Sequence, residues 1–179
     1  MADDAKVNST ESGSYRAKIA DEAARIEEDV TYASKSHFND ADSWDQRHLW
    51  LGGAGTILAA GAGATGLFSG HPTLAALISF LSAGATAVLT FQKPGEHASA
   101  HRVAGAGYAE TRQRARQLRN VGAIGPDSDD ALRKSLDEIA AQKAQLDKQS
   151  PVPSRPAFER ARAGIEGGEA TQMIDSKAR

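Results

Sequence analysis

Two histidines, His97 and His101, stand four residues apart beside Glu96. At this spacing one helix can present two imidazoles to a single metal ion. The chain has no cysteine and no HExxH motif, and no third ligand follows nearby in the sequence. We therefore predict no metal site, and we favour packing of these two side chains at an interface.

A second pattern with possible chemistry is the stretch GAGATG, Gly61 to Gly66, which has the Gly-x-Gly-x-x-Gly spacing of a dinucleotide-binding loop. It lies inside an apolar helical segment, with no strand before it and no Gly-Lys-Ser/Thr after it. No Ser-His-Asp or paired-carboxylate arrangement can be singled out. The sequence therefore predicts no catalytic residues and no cofactor, and its net charge of -2 gives no footprint for nucleic acid.

The elements that would position such residues are dominated by one uncharged stretch. No Asp, Glu, Lys or Arg occurs from Leu49 to Gln92, so all 21 basic and 23 acidic residues lie outside it. About 20 apolar helical residues cross a bilayer core, and the stretch is long enough for two crossings, 49–68 and 72–91. We predict an all-α integral membrane protein, with a two-helix transmembrane hairpin turning at Ser69 to Pro72 and a cytoplasmic helical bundle.

The alternative is a buried helical hairpin in a soluble protein. Glycine is unfavourable in water-exposed helices, by about 1 kcal/mol relative to alanine, but it is frequent in membrane helices. The rest of the chain also has few large apolar residues with which to cover a helix pair that is apolar all round. These two arguments favour the membrane.

Basic residues flank both predicted spans, and none lies in the turn between them. Loops rich in Lys and Arg stay on the cytoplasmic side, so we predict a multi-pass protein of a bacterial inner membrane with both termini in the cytoplasm. Trp44 and Trp50 bracket the first boundary, as interfacial aromatics do, although core packing is the alternative for either. The flanking basic residues are Lys35, Arg47, Lys93, Arg102 and Arg112.

Small side chains recur every three or four residues along the first span and are predicted to be a helix-packing seam at which subunits self-associate. Hydroxyl side chains recur on one face of the second span and are candidates for lining a pore. Hydrogen bonding between helices, or to the carbonyl one turn earlier, is the alternative for these hydroxyls. The seam is Gly52, Gly55, Ala59, Ala62, Gly66 and Ser69, and the candidate pore-lining residues are Ser79, Ser82, Thr86 and Thr90.

The charged arms are predicted to be helical and cytoplasmic. A disordered segment 1–14 precedes an amphipathic helix 15–38, with Tyr15, Ile19, Ile26, Val30 and Ala33 as its apolar stripe, and the acidic segment 40–45 is expected to interrupt it. Three helices follow the spans, at 95–120, 128–149 and 157–165, and the tail 170–179 is expected to fray.

Two faces of these arms are candidates for binding. The helix 128–149, with Asp127 or Ser128 as its cap, carries an apolar stripe that favours a helical partner or a coiled coil. The helix 95–120 carries a basic face that is either solvated or in contact with anionic headgroups. The stripe is Leu132, Leu136, Ile139 and Leu146, and the basic face is Arg112, Arg116 and Arg119.

A family resemblance rests on four segments in order: IADEAARIEEDVTYASKSHFNDADSW, the LWLGG that follows it, FQKPGEHASAHRVAGAGYAETRQRAR after the second span, and PAFERARAGIEGG near the end. Together with the closely spaced spans, they resemble the SLATT family of two-transmembrane effectors, which are associated with SMODS nucleotide synthases and SLOG sensor domains in bacterial conflict systems. The likeness covers 15–169 as a single domain.

The resemblance implies a pore-forming or membrane-perturbing effector of antiviral defence by abortive infection. Such an effector oligomerises in the lipid bilayer when a sensor or nucleotide signal triggers it, and growth arrest or death follows. No fused sensor is expected in this chain, so the expected trigger is a partner such as a separately encoded sensor or nucleotide synthase, a ligand of the cytoplasmic helices, or membrane stress. The alternative is a membrane scaffold that forms no pore and docks a cytoplasmic partner through its helical arms. No enzymatic activity is expected in either case.

Overall fold

The computed structural model describes residues 2–68 and 71–170, with side chains from 13 to 67 and from 71 to 170. Over these residues the chain is all-helical and no strand occurs, which confirms the all-α class. The predicted turn residues Ser69 and Gly70, and the tail from 171 onward, lie outside the described residues. The elements are α1 (Ala2–Phe68), α2 (Pro72–Gln92), α3 (Pro94–Asn120), a 3-10 turn (Gly122–Ile124), α4 (Asp129–Gln149) and α5 (Arg155–Glu166).

Helix α1 differs from the sequence prediction at two places. It begins at Ala2, inside the segment 1–14 expected to be disordered, and it continues through 40–45, where an interruption was expected. Asp, Asn and Ser disfavour a helix interior by no more than about 0.7 kcal/mol each, and no proline occurs before Pro72. Asp40 and Ala41 are buried at 4% and 1% exposure, so packing overrides this weak local preference.

The other helix ends have local causes. Lys93 caps α2 in the left-handed conformation (φ 43°) and donates its backbone N–H to Leu89 O, and Pro94 then begins α3. Ser128 and Ser154 cap α4 and α5, because their hydroxyl oxygens accept the backbone N–H groups of Ala131 and Ala157. Helix α5 therefore begins two residues before the position predicted from the sequence.

The chain divides into two compact units, of which unit 1 comprises residues up to 39 and from 101 onward, and unit 2 comprises 40–100. The core of unit 1 is a cluster contributed by α1, α3 and α4. Tyr15 of the predicted α1 stripe is 36% exposed and is not part of this cluster. The buried members are Ile19, Ala23, Ile26, Val30, Ala104, Tyr108, Ala115, Leu118, Leu132 and Ile139.

The apolar stripe of α4, expected to form a partner surface or a coiled coil, packs instead into the core of unit 1. Leu132 and Ile139 are 2% and 3% exposed, and Leu136 and Leu146 pack against the same cluster. A stripe at this spacing buries equally well against a partner chain or against the chain's own helices. In this structure α1 and α3 cover the α4 stripe.

Arginine side chains join the elements of unit 1. The Arg16 guanidinium donates to Asp129 Oδ1 (2.7 Å), Gly125 O (2.9 Å) and Asp127 O (2.7 Å), and so holds the start of α4 against α1. On the basic face of α3, Arg119 lies 3.2 Å from a carboxylate oxygen of Glu27, and Arg112 donates to Ala170 O (3.3 Å). Two members of the predicted basic face thus have partners within unit 1.

Candidate functional site

The candidate site is the uncharged part of unit 2, which comprises the end of α1 and all of α2. Its large apolar side chains point outward, which is unusual because a monomeric soluble protein rarely exposes a contiguous apolar patch larger than a few hundred Å². Exposures reach 74% at Ile57, 75% at Phe80 and 87% at Phe91. The other exposed large apolar residues here are Leu49, Trp50, Leu67, Leu74, Leu77, Leu81 and Val88.

Among the described residues, one helical stretch is long and apolar enough to cross a membrane, and it begins at Pro72. Only 6% of its most apolar window is buried. The core helix of a soluble protein would pass the same test of length and composition, but it would be mostly buried. No second stretch among the residues with described side chains meets this criterion, and those residues leave out the end of the first predicted span, 49–68.

The predicted small-residue seam of α1 contacts α2 of the same chain. A Cβ added at Gly52 would lie 3.9 Å from Leu89 Cδ2, one at Gly55 would lie 3.7 Å from Ala85 Cβ, and one at Gly66 would lie 3.7 Å from Ala75 Cβ. Positions rise along α1 as they fall along α2, so the two helices are antiparallel. Glycine therefore admits close approach of the backbones.

Within unit 2 the seam lies between two helices of one chain, and its role in joining subunits stays a prediction. Ala62 is buried at 6% exposure, but Ala59 is exposed, and Leu58 is the partly buried residue in that turn. Ala59 therefore does not belong to the seam, and Ser69 lies outside the described residues.

Ser82 links the two helices directly. Its side chain is 8% exposed, and its hydroxyl donates to Gly55 O at 2.9 Å. A hydroxyl buried between two apolar helices needs such a partner, and interhelical bonds of this kind contribute roughly 0.6 to 2 kcal/mol in a membrane. Of the four candidate pore-lining residues, Ser82 is thus the one that is buried between α1 and α2.

The other candidate hydroxyls bond to their own helix. Ser79 donates to Ala75 O (2.9 Å), Thr86 to Ser82 O (3.0 Å) and Thr90 to Thr86 O (2.9 Å). Bonding to the carbonyl four residues earlier satisfies a hydroxyl without water, so these side chains are compatible with an apolar surrounding. Ser79 and Thr90 are exposed on α2.

Aromatic and basic side chains cluster at the charged end of the helix pair. The Trp44 ring stacks on His97 with centroids 4.7 Å apart, and the Arg47 guanidinium carbon lies 4.6 Å from the centroid of the Trp44 ring. Lys93 Nζ donates to Glu96 (2.9 Å). Trp44 is partly buried, while Trp50 is 77% exposed.

The patterns that suggested chemistry have other roles here. His97 stacks on Trp44, whereas His101 Nδ1 faces His37 Nδ1 at 3.0 Å, so the two imidazoles have different neighbours. The part of the chain with described side chains holds no group of three His, Asp or Glu residues that could bind a metal ion. The GAGATG stretch lies inside α1, where the backbone N–H groups are occupied by helical hydrogen bonds.

A row of polar side chains that was not predicted from the sequence crosses the core of unit 1. His37 is 1% exposed and stacks on Tyr108 (5.3 Å), and the Tyr108 hydroxyl donates to Asp147 Oδ1 at 2.9 Å. Ser34 donates to Gly105 O (2.9 Å) beside it. A signal was present, since His37 follows Ala33 by four residues and so continues the apolar stripe of α1.

Burial, together with the Asp147 carboxylate, raises the pKa of Tyr108 from 10.0 to about 12. The unfolded chain therefore releases the phenol proton first, and the stability that Tyr108 contributes is present below pH 10 and lost as pH rises from about 10 through about 12. Denaturant midpoints measured from pH 8 to 11 should fall more steeply for the wild type than for Tyr108→Phe. Equal slopes would contradict this prediction.

No protein-family model, curated protein or solved structure matches this chain. The described residues define an all-helical protein with one long apolar helix whose sides are exposed.

Proposed function

We propose that both uncharged segments cross a bacterial inner membrane as a hairpin, with the two termini and unit 1 in the cytoplasm. The observation that carries this proposal is the arrangement of unit 2, in which small residues fill the contact between the helices and large apolar residues face outward. Contact with lipid tails is favourable for such an apolar surface, whereas exposure to water is costly. The basic residues on both flanks and the uncharged turn support the orientation.

We further propose that the protein is a membrane effector of a bacterial conflict system, which self-associates when triggered and makes the membrane permeable. The resemblance described above and the membrane hairpin support this role. Two helices cannot enclose a pathway, so several copies are required, and they would meet through the outer faces because the seam is occupied within each chain. A sensor or nucleotide synthase would supply the trigger.

The non-pore scaffold is the weaker alternative. The α4 stripe through which it was expected to dock a partner belongs to the core of unit 1. A scaffold would therefore need a different surface.

Membrane fractionation of expressing cells, with an alkaline carbonate wash of the pellet, is the first test. We expect the chain to stay in the pellet and to require detergent. Recovery in the wash would contradict the hairpin and the effector role together.

Liposome leakage is the second test. We expect the purified chain, reconstituted into liposomes, to release a trapped dye or potassium once it self-associates. An integral protein that releases neither from liposomes nor from triggered cells would retain the hairpin and overturn the effector role.

A further inference from the structure

A groove of about 490 Å³ lies at the charged end of the helix pair, entirely within unit 2. Ser43, Gln46, Arg47 and Trp50 of α1 line it at helical spacing and therefore share one face. Its remaining lining residues are Leu51, which follows on α1, and Val88 and Gln92, which are one turn apart on α2. We call it the boundary groove.

The lining of the boundary groove changes from polar to apolar along its length. Its outer end is polar, with Ser43, Gln46 and Gln92, while Trp50, Leu51 and Val88 make its inner end apolar. The change falls where the charge-free stretch begins at Leu49. Under the proposed function, which this inference assumes, that level is the headgroup layer of the bilayer.

The lining carries one cation, Arg47, and no carboxylate. The Arg47 guanidinium lies over the Trp44 ring, a contact that restricts its orientation while its N–H groups can still donate. Lys93, the neighbouring cation at the same end of the helix pair, is paired with Glu96 and does not line the groove. A planar guanidinium suits two oxygens of a phosphate better than an ammonium group does.

We propose that the boundary groove binds one anionic phospholipid, with Arg47 donating to its phosphodiester and Trp50, Leu51 and Val88 contacting the upper part of its acyl chain. The absence of a carboxylate in the lining favours a headgroup without an ammonium group. Phosphatidylglycerol therefore fits better than phosphatidylethanolamine.

The test uses the full chain, purified in a neutral detergent and titrated with phosphatidylglycerol, phosphatidylcholine or inorganic phosphate, with the thermal midpoint as the readout. We expect phosphatidylglycerol to raise the midpoint and to bind at least tenfold more tightly than phosphatidylcholine. Arg47→Gln should remove this preference. Lys93→Gln, the matched control, should change the affinity less than twofold.

Val88→Phe provides a second variant, because it narrows the apolar end without touching the charge, and it should weaken binding of the lipid. Equal binding of the two lipids, or equal losses in Arg47→Gln and Lys93→Gln, would overturn the proposal in favour of unspecific attraction to negative charge. If inorganic phosphate alone raised the thermal midpoint as much as phosphatidylglycerol does, the lipid would be overturned as the ligand. If the chain is integral but shows no lipid preference, this inference alone is contradicted. If carbonate removes the chain from the membrane, the proposed function is contradicted.

Discussion

Replacing Leu77 and Leu81 together by arginine is expected to remove most of the chain from the carbonate-resistant membrane fraction. Both side chains lie on the outward surface of α2, at 57% and 53% exposure. Arginine near the centre of a membrane helix costs about 2.5 to 3.5 kcal/mol, so the pair opposes insertion by about 5 to 7 kcal/mol. Quantitative immunoblotting of the washed pellet measures the effect.

The matched control is Val103→Arg, an exposed apolar residue (71%) on α3 outside the uncharged stretch. In water, such a surface change alters the free energy of unfolding by about 0.5 kcal/mol or less, so the fraction in the pellet should not change. If the doubly substituted chain stays in the pellet as the wild type does, the outer face of α2 does not contact lipid.

The second large effect is expected for Gly55→Leu. A Cβ at this position meets Thr86 Oγ1 at 3.6 Å and Ala85 Cβ at 3.7 Å, so alanine fits, while the larger leucine side chain forces α1 and α2 apart. Overpacking of this kind costs about 1 to 3 kcal/mol, and the bond from Ser82 to Gly55 O is strained or lost as well. Denaturation in mixed detergent micelles should show a lower midpoint.

Gly53→Leu is the matched control, because a Cβ there has nothing within 4 Å. Both substitutions replace glycine by leucine in the same helix, so propensity and added hydrophobicity are equal, and only the contact with α2 differs. If the protein permeabilises liposomes, Gly55→Leu and Gly66→Leu should abolish leakage, and Gly53→Leu should preserve it. Equal behaviour of Gly53→Leu and Gly55→Leu would show that close packing at the seam is unimportant.

Much of the fold could be predicted because periodicity reports which side of a helix is apolar. Ile19, Ile26 and Val30 were placed on the buried face of α1 from their spacing alone, and all three are in the core of unit 1. The second predicted span, 72–91, ends one residue before α2 does. These features depend on neighbours within one or two turns, which the sequence specifies directly.

Other features depend on residues far apart in the chain. Nothing local distinguishes Leu58 from Ala59 as the partly buried residue of that turn, because the exact rotation of one helix is set by the side chains of the other. His37 needed His101 and Tyr108, from a different helix, before its burial could be understood. In the same way, the acidic segment 40–45 remains helical although its composition suggested an interruption.

Composition and periodicity alone show that this chain is helical and that it carries a long stretch without charge. Where each apolar face goes depends on the packing of the whole chain: the α4 stripe lies in the core of unit 1, and the glycine seam lies against α2. The physical reason is that burying an apolar face is equally favourable against any complementary surface. Only the arrangement of the whole chain determines which surface is within reach.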